Sequence, residues 1–352
     1  MSFERHLTAR FLIWTSLIWL GLSGLIFSAS LVEGMALKIA EQGATQLIQI
    51  GMLKTVEFAW LVMPAAACLG ALVTGTLAAR QGELTGFYSC GGRPMAIMKT
   101  WLSAATLWVV FSLVLGEFGV PLSKEVLLGL DVGPERAAAL TLERRPVEWV
   151  SIENWRVFLP SLSHEKSSFK KPQLLQMKGN RLQYIWDADE LNFDGDFWTL
   201  QGAVRYALDG ERSIFETKKI SLPISPQDLW MVAAPPSVLS RSVLRDLTEQ
   251  RRRLGTDYVH HELTLSKRLG YPLALLPLLV MVAPLALSAN RKRTFAQALG
   301  LGALVIGVAF SLEGLFRMLT LGRQLSPAWG GWGLTVTVSF LAVISLKRWR
   351  RS

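Results

Sequence analysis

Six stretches of this chain carry no Asp, Glu, Lys or Arg: Phe11–Val32, Phe58–Ala79, Thr100–Gly116, Leu269–Asn290, Thr294–Leu312 and Gln324–Leu346. They run from 17 to 23 residues, and a helix rising roughly 1.5 Å per residue needs about 20 to cross the hydrocarbon core. A buried soluble helix would explain one such run; six in one chain predict six membrane-spanning helices. The first run follows Arg5 and Arg10, as a signal sequence would. It exceeds an h-region of roughly 7–15 residues and no small-x-small cleavage pattern follows, so a retained span is expected. Pro272, Pro277 and Pro284 fall in the fourth run and predict kinks, because neighbours in a bundle can satisfy the freed carbonyls. Between the first two spans, Leu37, Ala40, Ala44, Leu47 and Ile48 recur at helical spacing and predict an amphipathic extension at the interface. The turn before the last span carries Trp329 and Trp332 as interface anchors.

The segment from 123 to 268 follows another rhythm. Leu182, Tyr184 and Trp186 alternate with polar neighbours, as do Trp198, Leu200, Val204 and Tyr206 with Gly202 between them. Lys178-Gly-Asn, Asp194-Gly195 and Asp209-Gly210 punctuate these runs, and such sequences favour the positive-φ turns that close hairpins. From about Val147 to Leu222 this predicts an antiparallel meander, curled into a sandwich or a partly open barrel. After Pro235-Pro236 the period becomes helical, with Ser237 as the expected cap of a helix carrying Leu239, Val243, Leu244, Leu247 and Leu254. The expected fold is therefore an α-helical membrane protein of six spans, three plus three, with an inserted external all-β domain. Residues 1–122 hold spans one to three and an inner loop at 80–99. Residues 123–268 hold the external domain, with a helical connector over about 237–268, and residues 269–352 hold spans four to six and a basic tail.

A net charge of +10 would suit a nucleic-acid partner, until the charges are sorted by segment. The amino terminus, the loops 80–99 and 291–293 and the tail 347–351 hold 12 Lys/Arg and 2 acids, whereas segment 123–268 holds 21 against 20. The whole excess lies in the four segments that an even number of crossings places on one side. That is the positive-inside distribution, which predicts cytoplasmic termini and an external central domain, and it removes the nucleic-acid reading. Cys68 lies in the second span and Cys90 in the inner loop, so no disulfide framework supports the external domain.

Several chemistries are missing from the sequence. No Gly-x-x-x-x-Gly-Lys-Ser/Thr loop is present to cradle nucleotide phosphates, and no His-Glu-x-x-His pair to hold zinc. Gly21-Leu22-Ser23-Gly24 is similar to an intramembrane-protease serine motif. The four histidines, His6, His164, His260 and His261, all lie outside the spans, so Ser23 has no base and the small residues read as helix packing. Adjacent His260 and His261 diverge by about 100° on a helix and read as a solvated pair rather than metal ligands. Glu313 and Arg317, at i and i+4 in the outer half of span five, leave two readings open. They form a mutual ion pair that lowers the cost of insertion, or Arg317 lines a cavity and meets an anionic ligand.

The order of these features resembles the LptF/LptG (YjgP/YjgQ) lipopolysaccharide-export permeases over essentially the whole chain. The resemblance is carried by Met63-Pro-Ala-Ala-Ala-Cys-Leu-Gly-Ala-Leu72, Leu77-Ala-Ala-Arg-Gln-Gly-Glu-Leu84 and Ser89-Cys-Gly-Gly92. Gly116-Glu117 with Pro121, Lys267-Arg268 with Tyr271-Pro272-Leu273, and Leu325-Ser-Pro-Ala-Trp329 extend it. The stretch Lys267–Leu273 inclines toward the LptG-like member. The resemblance implies an external β-jellyroll and a heterodimer with a paralogous permease. It also implies a dimeric cytoplasmic ATPase that binds ATP and Mg, this chain holding no cofactor and catalysing no reaction itself. Lipopolysaccharide would be drawn from the outer leaflet of the inner membrane into a cavity lined by spans one, two and five, and passed to a periplasmic jellyroll bridge protein. It further implies that the loop after span two docks on the ATPase, placing Glu83, Leu84 and Phe87 at that contact. At the outer end of span one, where the family carries basic residues, this chain has Phe27 and Ser28, and Lys38 is the nearest cation. The cavity candidates are thus Lys38, Glu313 and Arg317. A non-transporting envelope scaffold is the alternative, which would need neither a structured inner loop nor charges within span five. A proton-driven transporter would need several midplane ionisable groups, which the sequence lacks.

Overall fold

The computed structural model describes residues 3–36, 43–129, 150–152, 154–159, 161–162, 168–179, 181–195, 197–207, 211–226, 228–229, 234–253, 258–287 and 295–351. Leu37, Lys38, Ala40, the turn residues Asn180, Asp209 and Gly210, Leu254, and the loop 291–293 lie outside them. The chain forms two compact units: Met1–Gly34, Leu47–Val120 and Leu244–Ser352 make one, and Met35–Gln46 with Pro121–Val243 the other.

The first unit is helical. Among the described residues six helical segments are long and apolar enough to span a membrane: Phe3–Met35, Met63–Arg80, Pro94–Leu127, Val259–Ala286, Leu299–Leu321 and Pro327–Trp349. Helix α1 covers Phe3–Ala36 without a break. The second expected span is divided. Helix α2 covers Ala44–Leu61 and α3 Met63–Arg80, the boundary falling at Val62 because Pro64, at the start of α3, has no N–H to donate backwards. The short helix α4 covers Glu83–Ser89, and α5 covers Pro94–Val114. A π-helical turn at Leu115–Gly119 leads into α6, Val120–Gly129. Gly116 in that turn lies against the indole of Trp60, where a Cβ would stand 2.6 Å from Nε1.

In the second half of the chain, α7 covers Arg241–Arg253, α8 Val259–Leu273, α9 Leu275–Ala286, α10 Phe295–Leu321 and α11 Pro327–Arg351. The expected cap at Ser237 is displaced. Val238 N–H donates to the Pro235 carbonyl in a turn, and the helix starts only at Arg241. The fourth span breaks at Ala274, three residues before Pro277, whose missing N–H would have met Leu273. Pro272 and Pro284 sit inside α8 and α9. The Tyr271 hydroxyl donates to the Leu61 carbonyl, so the last turn of α8 is tied to the end of α2 just before its break.

The core of this unit is built by α3 packing on α9, α8 on α11, and α10 on both α3 and α11. Leu7, Phe11, Met63, Leu72, Ile97, Trp101, Leu275 and Val282 are fully enclosed. Phe11 stacks on Trp101 with centroids 5.3 Å apart. Small residues set the approach of the helices: Gly75 of α3 lies against the Ala286 backbone, leaving no room for a Cβ.

The second unit contains a nine-stranded antiparallel sheet: β1 Val150–Ile152, β2 Trp155–Phe158, β3 Ser161–Leu162, β4 Ser168–Lys170, β5 Gln173–Lys178, β6 Arg181–Asp187, β7 Glu190–Asp194, β8 Phe197–Ala207 and β9 Arg212–Ile220. The order β1-β2-β5-β6-β8-β7-β4-β3, with β9 beside β8, is a meander only in part, because β2 reaches over to β5 and β4 to β7. One edge of β8 is shared: β7 pairs with residues 197–201 and β6 with residues 204–207. Gly202, with φ +62°, marks the junction. On its β9 side the register continues unbroken, Gln201 facing Thr217 and Ala203 facing Phe215, yet the buried positions change parity, from Trp198 and Leu200 before it to Ala203 after it. A residue at positive φ turns the strand, which an L side chain resists. Asp189, between β6 and β7, fills the space that a Gly202 side chain would need. The β domain is therefore one curled sheet with a core on each side of that glycine: Val157, Leu174 and Trp186 on one, Phe169, Leu191, Trp198 and Leu200 on the other.

Candidate functional site

Two clusters of polar residues interrupt the apolar bundle. The first surrounds α4, in the loop between α3 and α5. Gly82, at φ +78°, turns the chain out of α3. Glu83 then opens the helix, where its charge suits the amino-terminal dipole. Its carboxylate accepts two hydrogen bonds from Arg10 Nη1, at 3.0 and 2.9 Å, and the same nitrogen donates to Gln81 Oε1 at 3.2 Å. Leu84 is fully buried and belongs to the core. Phe87 stacks on Phe3 with centroids 4.8 Å apart. The Tyr88 hydroxyl donates to the Leu287 carbonyl at 2.8 Å, and burial pushes its pKa up to about 12, so it remains a donor throughout the physiological range. Beside these contacts lies a groove of about 490 Å³ lined by Phe3, His6, Glu83, Gly86, Phe87 and Cys90. Of the three residues expected at an ATPase contact, Glu83 and Phe87 reach this groove while Leu84 anchors the helix from beneath. Arg10 and Tyr88 were not singled out from the sequence. Their partners lie 73 and 199 residues away, and no local period encodes such a meeting.

The second cluster lies where α8 meets α10. Glu313 does not take Arg317 as its partner. Its Oε1 is 2.5 Å from Lys267 Nζ, with the side chains only 14% and 21% exposed respectively. Lys267 also stands 5.6 Å from the Tyr271 ring centroid. Arg317, one turn beyond Glu313, is exposed, and among the described residues it has no carboxylate within ion-pair distance. Lys267 was legible only as part of a resemblance, because a lysine before an apolar run reads as a flank and not as a partner for span five. A third pair stands apart: Lys54 of α2, itself 9% exposed, reaches Glu33 at 2.9 Å. Lys38, the remaining cavity candidate, is outside the described residues. Among the described residues no group of His, Cys, Asp and Glu could hold a metal ion.

Six helices long and apolar enough to span a membrane, with an inserted antiparallel β domain, define the class of multi-pass membrane proteins. The family model described as "Lipopolysaccharide export system permease LptF/LptG" matches residues 5–348, and the chain belongs to that family. It is 22% identical over 316 residues to the lipopolysaccharide export system permease protein LptG of Escherichia coli K12, covering 87% of each chain. The LptG protein of Escherichia coli O6:H1, strain CFT073, is similar to the same extent. The family match and the six apolar helices make the chain a multi-pass inner-membrane protein.

Proposed function

We propose that this chain is one permease subunit of an ATP-driven exporter that draws lipopolysaccharide from the outer leaflet of the inner membrane and hands it to a periplasmic jellyroll bridge. The observation that carries this reading is Arg317. Lys267 already neutralises Glu313, so the guanidinium on α10 is held exposed and, among the described residues, without a carboxylate partner, ready for an anion. An arginine within an apolar span is costly unless it serves a ligand or a cavity, and phosphate is the oxyanion that its planar fork fits.

The exposure of the helices supports a second permease. Only 17% of the apolar window of α1 and 11% of that of α10 is buried by the rest of the chain, against 83% for α3. Those two helices form the face toward lipid and toward a paralogous partner, this chain taking the LptG-like place. At the basic inner end, with both termini in the cytoplasm, the Glu83–Phe87 groove receives a separate dimeric ATPase that binds ATP and Mg. The Arg10–Glu83 contact joins that groove to α1, so movement of the docked helix passes directly to a helix of the cavity.

Arg317→Leu is expected to lower lipopolysaccharide export by tenfold or more, on the scale of one lost charge-assisted phosphate contact of about 1.4 kcal/mol. Glu313 keeps Lys267 in this variant, so the yield of folded protein should not change. Export measured in proteoliposomes containing both permeases and the ATPase checks it, and undiminished export would leave Arg317 without a ligand role.

A further inference from the structure

Arg205 of β8 is a cation of the external domain that the export scheme above does not use. In the sheet register it stands between Trp186 of β6 and Ser213 of β9, on the side where Leu174 and Trp186 are buried, at 0% and 4% exposure. Its guanidinium carbon lies 4.8 Å from the ring centroid of Tyr184, 5.7 Å from Phe215 and 5.8 Å from Trp186. The guanidinium donates to Ser213 Oγ at 3.2 Å, and among the described residues no carboxylate is within ion-pair distance of it. Arg252 differs: it too stacks on a ring, that of Tyr258, but Glu262 neutralises it at 2.8 Å. A guanidinium has five donors in one plane. Three aromatic rings lie within about 6 Å of that of Arg205 and attract it through their quadrupoles. One nitrogen is used on Ser213 Oγ, the side chain is half-buried, and rings around a charge thin the water that would screen it.

We propose that Arg205, with Tyr184, Trp186 and Phe215, is an anion anchor in the β domain that takes the phosphate monoester of an amphiphile, the phosphate on the guanidinium edge and the hydrocarbon against the rings. The anchor rests on the lipid-export reading, and it gives the external domain a headgroup contact as well as an apolar surface. Phosphate suits the site because two parallel N–H donors match two of its oxygens. A free phosphate ion shares that chemistry but cannot use the rings.

The test uses the full-length chain in nanodiscs, with Ala207, which faces Tyr184 across the sheet, replaced by p-benzoyl-phenylalanine. Cross-linking is compared for lipid A bearing its phosphates and for the same lipid after phosphatase treatment, with and without millimolar inorganic phosphate. The phosphorylated lipid is expected to cross-link at least tenfold more than the dephosphorylated one. Arg205→Gln is expected to remove that difference, and Arg205→Lys to keep part of it. Equal yields from the two lipids overturn the anchor, a comparison that requires no variant at Arg205 to fold. Equal yields from Arg205→Gln and the parent protein overturn it as well. Loss of the product to inorganic phosphate would assign the site to free phosphate and overturn the lipid ligand. Export by the parent protein, run in parallel, separates the two readings: export without phosphate-dependent cross-linking sinks the anchor alone, and phosphate-dependent cross-linking without export sinks the transport reading alone.

Discussion

Lys267→Met destabilises the helical unit by about 3 kcal/mol or more, because it strands Glu313 as an unpaired charge where water is scarce. The pair is short, 2.5 Å, and its carboxylate is the less exposed partner at 14%. Removing one member of such a pair costs far more than removing both, since the double change leaves no charge to be desolvated. Lys267→Met/Glu313→Leu should therefore recover most of the loss. Tryptophan fluorescence during detergent-induced unfolding gives all three stabilities. If the single and double variants unfold together, the ion pair is not what joins α8 to α10.

Trp198→Ala is expected to cost the β domain about 3–5 kcal/mol, the range for truncating a large aromatic side chain in a packed core. Trp198 is fully buried. Its ring centroid lies 5.2 Å from Phe193 and 6.0 Å from Phe169, and its indole N–H donates to the Ile224 carbonyl at 3.1 Å. Truncation removes the ring contacts, opens a cavity and takes a donor from that carbonyl at once. Proteolysis of the β domain in the intact protein reads the effect: cleavage should begin at a lower temperature or denaturant concentration. Trp198→Phe keeps one ring but loses the hydrogen bond and leaves a smaller cavity, so its cost should fall between zero and that of Trp198→Ala. Unchanged protease resistance in Trp198→Ala would mean that this half of the sheet is held from elsewhere.

The six spans were legible because lipid imposes one period-free signal, a long run without charge, which survives any detail of packing. The β character of the central segment was legible from the alternation around Trp186 and Trp198 and from the Gly-containing turns. Strand order was not, because β2 meeting β5 and β4 meeting β7 depend on contacts that no local pattern records. Gly202 stood in the sequence as an interruption. That it exchanges the buried parity of β8 required its φ and the two neighbours, β6 and β7, on one edge. The candidate site divided in the same way. Glu313 and Arg317 could be picked out by type and position, since charges in spans are unusual, whereas Glu83, Leu84 and Phe87 were reached only through the family resemblance of the loop after span two. Their partners could not: Lys267 and Arg10 look like ordinary flanking cations until the helices are placed side by side. Spacing alone permits a Glu313–Arg317 pair, one of the two readings left open, yet α8 offers a cation that is closer, and this leaves Arg317 available.

The proposal that this chain is a permease subunit of an ATP-driven exporter is tested most directly by isolating it from its own membrane, together with a candidate paralogous permease and a candidate ATPase, and measuring hydrolysis with and without lipopolysaccharide. The three proteins are expected to remain together and hydrolysis to rise when the lipid is added. Glu83→Arg, which reverses the charge in the groove and repels Arg10, is expected to release the ATPase or silence the stimulation. A chain that purifies with no ATPase, or a complex whose hydrolysis ignores both the lipid and Glu83→Arg, would contradict the export reading and favour an envelope scaffold.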